Sequence, residues 1–165
     1  MVLSANSVRM LKPPIEPMEA EQVDEIPVGD NWQYEPKWDG FRCLIFCQGT
    51  EIFLQSKAGQ PLSRYFPEIV AAAKRVKPKS WVLDGELAVP MEGSFSFDQL
   101  LQRIHPAASR IAKLAKATPA IYIAFDLLMM GKRLSCGIHP CLNVESNSRS
   151  SRSTLKRLSS SICRQ

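Results

Sequence analysis

The sequence predicts a mixed α+β fold, mostly antiparallel sheet with packed helices, and three observations predict it. Short apolar runs of strand length alternate with segments of helical period. Two of the runs, "RCLIFCQ" and "EIFLQS", are joined by the turn-like pair Gly49-Thr50. Prolines stand where two helical patterns begin. A chain of 165 residues with 45% apolar content is also long enough to bury one sizeable core.

Taken in order, residues 1–31 are rich in acid and punctuated by Pro13, Pro14, Pro17 and Pro27, which predicts an extended lead-in with at most a short helix. From Trp32 the pattern turns strand-like: "WQYEPKW" precedes the hairpin of "RCLIFCQ" and "EIFLQS". "FPEIVAAAKRV" places Ile69, Ala72, Ala73 and Val76 on one face behind a first-turn proline, a helix. "WVLDGELAVP" predicts a strand, "FSFDQLLQRI" a short helix, "PAASRIAKLAKA" an amphipathic helix from Pro106, and "AIYIAFDLLMM" a buried strand. After Leu134 the character changes. Residues 135–165 hold nine serines, scattered arginines and no apolar periodicity, which predicts a disordered Ser/Arg-rich tail. No internal repeat is visible.

Charge and cysteine usage narrow the class. The net charge of +5 is concentrated in the tail, where Arg149, Arg152, Lys156, Arg157 and Arg164 face only Glu145, so the basic balance says little about the folded part. Five cysteines without a C-x-x-C pair argue against a secreted disulfide framework and for reduced thiols. With no leader-like opening and the most apolar run interrupted by Asp126, a soluble, cytoplasmic chain without membrane contact is expected. Cys136, His139 and Cys141 are too few and too irregularly spaced for structural zinc. Lys74, Arg75, Lys77 and Lys79 close a helix, where cations favour the dipole whatever the partner. His105, before Pro106, reads as a loop or capping residue.

The stretch that asks for chemistry is "EPKWDGFR", Glu35 to Arg42. In an extended segment residues two apart share a face, so Lys37 and Asp39 can point into one cleft while Trp38 points to the core. A lysine nucleophile needs a neutral amine and an electrophile held in line, and a nearby carboxylate can orient it or hold a divalent metal over a triphosphate. Alone, the pattern reads first as a hairpin turn with a cation beside it, because Asp-Gly is a common turn pair.

Four elements together resemble a known family. "EPKWDGFR", "LQSKAGQPLSRYFPEI", "LDGELAV" and "AFDLLMMGKRL" occur in the order of the motifs of ATP-dependent DNA ligases, members of the lysine-dependent nucleotidyltransferase superfamily. The wording is most similar to the small bacterial repair-type ligases. The resemblance spans residues 32–134 and implies part of an adenylation domain, with ATP and Mg²⁺ as cofactors and nicked double-stranded DNA as the partner of a monomer. It implies that Lys37 attacks the α-phosphate of ATP to give a lysyl-AMP intermediate, used in sealing nicks during repair and recombination. It further implies that Glu35 reads the adenine edge, that Arg42 contacts the nucleotide or the nick phosphate, and that Glu86 holds the ribose or, with Asp39, a metal. Phe125 would stack on the adenine. Where the family usually has arginine this chain has Lys57, which keeps the charge but loses the planar fork for bidentate phosphate contact.

After Leu134 the resemblance stops: neither the family's Glu-Gly-x-Val/Ile-x-Lys segment nor its Lys-x-Lys strand can be found, and the switch resembles a shifted reading frame or a truncated gene. Three other readings stay open on the residues alone: a catalytically inactive ligase remnant, a nucleic-acid-binding fragment using the basic tail, and an RNA ligase or capping enzyme sharing the Lys37 chemistry.

Overall fold

The computed structural model of the chain describes residues 11–19, 22–28 and 36–131, with the backbone of three short strands beyond them. In chain order the elements are β1 (Phe41–Gln48), β2 (Glu51–Ser56), α1 (Pro67–Ala73), β3 (Ser80–Ala88), β4 (Pro90–Met91) and β5 (Ser94–Phe95). There follow α2 (Phe97–Leu101), α3 (Ala108–Ala117), β6 (Ile121–Met130), β7 (Arg133–Leu134), β8 (Leu142–Val144) and β9 (Lys156–Arg157).

One sheet runs β2-β1-β3-β6-β8-β9, with β7 folded back on β6, and β4 and β5 form a separate two-stranded hairpin. All the pairings are antiparallel. The mixed, antiparallel α+β architecture is thus the one the sequence predicts, and the β1–β2 turn falls at Gly49-Thr50.

Strand alternation gives the sheet two faces. On one, Cys43, Ile45 and Cys47 of β1 lie with Trp81, Leu83 and Leu87 of β3 beneath Phe66, Ile69, Ala72, Ala73 and Leu100. Leu44, Phe46, Val82 and Met129 face the other way and are covered by Leu11 and Ile15 of the lead-in. The wholly buried Gln55 side chain clasps that lead-in, accepting the Ile15 N–H at 3.0 Å and donating to the Ile15 carbonyl at 2.5 Å. Residues 11–19 are therefore tied to the sheet although they form no helix or strand.

The helices carry one buried charge. Arg103, fully buried after α2, donates to both oxygens of Glu68 at 2.7 and 2.8 Å and to the Tyr65 carbonyl at 2.9 Å. Glu68 also accepts the Ala120 N–H at 3.1 Å, so one ion pair joins α1, the end of α2 and the start of β6. His105 is a loop residue: its Nδ1 accepts the Ala107 N–H at 3.0 Å ahead of α3, whose own first turn has no side-chain cap.

Two departures from the sequence expectations have local causes. Residues 36–38 of "WQYEPKW" are not in a strand, since Pro36 has no N–H to give a ladder. The β4–β5 hairpin is too short to leave a periodic signature. Beyond Leu134, β8 pairs antiparallel with β6 and β9 with β8. Trp32, Tyr34, Glu35, Cys136, His139 and Cys141 lie outside the described residues.

Candidate active site at the end of the sheet

The two Asp-Gly pairs are not hairpin turns. Asp39-Gly40 is a bend leading into β1, and Asp84-Gly85 lies inside β3. Each glycine is there for close approach: a Cβ on Gly40 would stand 2.3 Å from the Leu87 carbonyl oxygen, and one on Gly85 2.3 Å from the Ile123 carbonyl oxygen and 2.6 Å from the Tyr122 ring. The Tyr122 hydroxyl, which that space admits, donates to the Cys43 carbonyl at 2.8 Å and ties β6 to β1.

Gly40 lies against β3, where a Cβ on it would stand 2.8 Å from the Glu86 Cγ, so its backbone N–H sits close enough to favour the charged Glu86 carboxylate. Burial pushes the Glu86 carboxyl above the ordinary range, and the neighbouring Asp39 charge adds to this; the Gly40 N–H and the charges of Arg42 and Lys37 pull the other way. Lys37, Asp39, Arg42 and Glu86 thus form one electrostatic group. Lys37 and Asp39 themselves are exposed, and Trp38 is half-buried rather than in the core.

Cross-strand pairing sets Arg42 opposite Glu86. The guanidinium forks onto Asp84, Nε to Oδ1 and Nη2 to Oδ2, both at 2.7 Å, and Nη2 also reaches the Met18 carbonyl at 3.5 Å. Its other neighbour is Phe125, whose ring centroid lies 4.5 Å from Cζ. Phe125 comes within reach because β6 bulges: Asp84 pairs with Asp126 and Gly85 with Ala124, leaving Phe125 as the extra residue.

A cleft of about 490 Å³ opens beside these groups, lined among others by Gly40, Phe41, Arg42, Lys57, Glu86 and Phe97. A smaller one of about 230 Å³ is lined by Pro17, Met18, Glu19, Arg42 and Lys57. Lys57 is exposed and pairs with Glu19 at 3.0 Å. Arg42 and Lys57 are therefore common to both clefts, while Lys37, Asp39 and Phe125 stand outside the lining of the larger one.

Comparison with known proteins adds the family. The profile for the ATP dependent DNA ligase domain matches residues 17–160. The chain belongs to that family. DNA ligase C2 of Mycolicibacterium smegmatis is 50% identical over 119 residues, 72% of this chain and 33% of that protein. DNA ligase C of Mycobacterium tuberculosis is 48% identical over 119 residues, again 72% of this chain and 33% of the relative. Among solved structures, a mycobacterial DNA ligase D complexed with ATP and MES aligns with a TM-score of 0.50 at 30% identity, covering 62% of this chain and 31% of that one. The chain thus spans about a third of the length of the curated relatives it matches.

Membership in the DNA ligase family favours a DNA-joining reading over RNA ligase or capping chemistry. Among the described residues, no helix is long and apolar enough to cross a membrane. Sequence reasoning missed two residues that shape this site, Asp84 and Gly85. Both had a local signal in the polar Asp-Gly pair inside an apolar run, but that signal also fits a turn.

Proposed function

We propose that this chain is the nucleotide-binding part of an ATP-dependent DNA ligase and that Lys37 is its nucleophile. The observation that carries the reading is Glu86: half-buried in the lining of the cleft, packed against Gly40, cross-strand from Arg42 and close enough to Lys37 for its charge to favour the carboxylate. It links the exposed lysine to a cleft of nucleotide size.

In the proposed reaction the Lys37 Nζ lone pair forms a bond to the α-phosphorus of ATP. The bond from that phosphorus to the α,β-bridging oxygen breaks, pyrophosphate departs, and the amine proton is lost to solvent. The lysyl-AMP formed passes its AMP to the 5′-phosphate of a nick, and the 3′-hydroxyl then displaces AMP to seal the strand. Arg42 and Lys57 supply cations for phosphate groups at the mouth of both clefts. Phe125 offers the adenine a ring surface, one face of which lies against Arg42. Glu35 is proposed for the adenine edge.

The carboxylates suit Mg²⁺. Among the described residues no group of three or more His, Cys, Asp or Glu could cage a metal. Asp39 and Glu86 provide two carboxylates in one electrostatic group, and magnesium is commonly bound by one or two carboxylates together with substrate phosphates. Bound there, it would neutralise charge developing on the phosphates.

Incubation with α-labelled ATP and Mg²⁺ tests the reading. Acid-labile label on the wild type and none on Lys37→Ala is the expected result. Absence of label on the wild type would leave the chain an inactive ligase remnant.

A further inference from the structure

The segment bearing Lys37 is held by side chains and not by a ladder. Residues 36–39 are in neither helix nor strand. On one side of Lys37 the chain is fixed where Gly40 abuts β3. On the other side of that bend, the Trp38 ring meets Phe95 edge-on, with centroids 5.5 Å apart and planes at 74°.

The register explains why Phe95 is there. Phe41 lies opposite Leu87, and continuing that antiparallel register carries Trp38 opposite Pro90, which is paired with Phe95 in the β4–β5 hairpin. Pro90 has no N–H, so the ladder cannot extend to the lysine segment, and an aromatic contact from the hairpin takes its place. The Ser96 N–H donates to the Val89 carbonyl at 2.9 Å and closes the hairpin against the end of β3. None of the four elements that carry the family resemblance contains Phe95.

We infer that Phe95 is a positioning residue for the nucleophile: by fixing Trp38 it fixes the adjacent Cα of Lys37 and thereby the line of the amine toward the cleft. This rests on the reading of Lys37 as the residue that forms lysyl-AMP. Displacing a reacting group by about 1 Å costs on the order of a hundredfold in rate, so loss of one of the two anchors seen among the described residues is expected to be visible.

The full chain is compared with Phe95→Ala and Phe95→Tyr by single-turnover labelling over a range of ATP concentrations. Phe95→Ala is expected to slow lysyl-AMP formation at saturating ATP by about tenfold or more while the KM for ATP stays within about twofold, and Phe95→Tyr is expected to restore the rate. A Phe95→Ala rate within about twofold of wild type, or a loss that Phe95→Tyr leaves unrepaired, overturns the inference. Hydrogen exchange by mass spectrometry is read on the same proteins and separates this question from the chemistry. Should the wild type fail to take label, faster exchange in Phe95→Ala confined to residues 36–41 still supports the anchor, and unchanged exchange there refutes it.

Discussion

The Arg42–Asp84 fork predicts an asymmetry that can be measured. The Arg42 side chain is 31% exposed and the Asp84 side chain 5%. Removing Asp84 leaves a guanidinium that keeps its contact with Phe125 and can turn to water, which replaces one of the two lost charge-assisted hydrogen bonds, so Asp84→Ala forfeits the equivalent of the other, about 2 kcal/mol. Removing Arg42 with the apolar, similarly long Arg42→Met strands a buried carboxylate, and breaking a buried pair from that side costs about 3–5 kcal/mol. Against a total stability on the order of 5–15 kcal/mol the difference is large. Urea unfolding of the full chain followed by far-ultraviolet circular dichroism, with m-values held constant, measures both variants. The reasoning is refuted if Asp84→Ala costs as much as Arg42→Met, because Asp84 would then not be the desolvated member of the pair.

Three further outcomes are expected. Glu68→Ala, which leaves the fully buried Arg103 without its carboxylate and the Ala120 N–H without that acceptor, destabilises by about 3–5 kcal/mol in the same titration, and a loss below about 1 kcal/mol would contradict the buried pair. Gly85→Ala drives a methyl into the Ile123 carbonyl and the Tyr122 ring and costs about 3 kcal/mol, where the same change at the open Gly93 costs less despite its positive φ. Glu86→Gln raises the melting temperature at neutral pH. The raised carboxyl means that the folded chain holds its proton more tightly than the unfolded chain, so wild-type stability falls as pH rises through that range. The difference between the two proteins is expected to shrink in acid, where Glu86 is neutral in both states, and labelling by ATP is expected to fall in the variant.

Much of the architecture was legible because apolar runs carry their own period. The hairpin at Gly49-Thr50, α1 behind Pro67, β3 and β6 each follow from local pattern, and the in-order motifs point to the ligase family that the profile match shows. What local pattern could not supply was the meaning of the two Asp-Gly pairs. A turn and a close approach need the same residues, and only the neighbouring strand decides between them: the Leu87 carbonyl beside Gly40, and Tyr122 beside Gly85.

By itself, then, the sequence determined β1, β2, β3, β6 and the three helices and the antiparallel class, because these depend on residue type and spacing along the chain, and its in-order family motifs singled out the candidate nucleophile. The tertiary structure alone decided that Arg42 is forked onto a buried Asp84, that a bulge turns Phe125 under its guanidinium, and that Gly40 is packed against Glu86. Each of these joins residues more than forty positions apart, and their distance, register and burial are set when β1, β3 and β6 pair, which no one segment encodes.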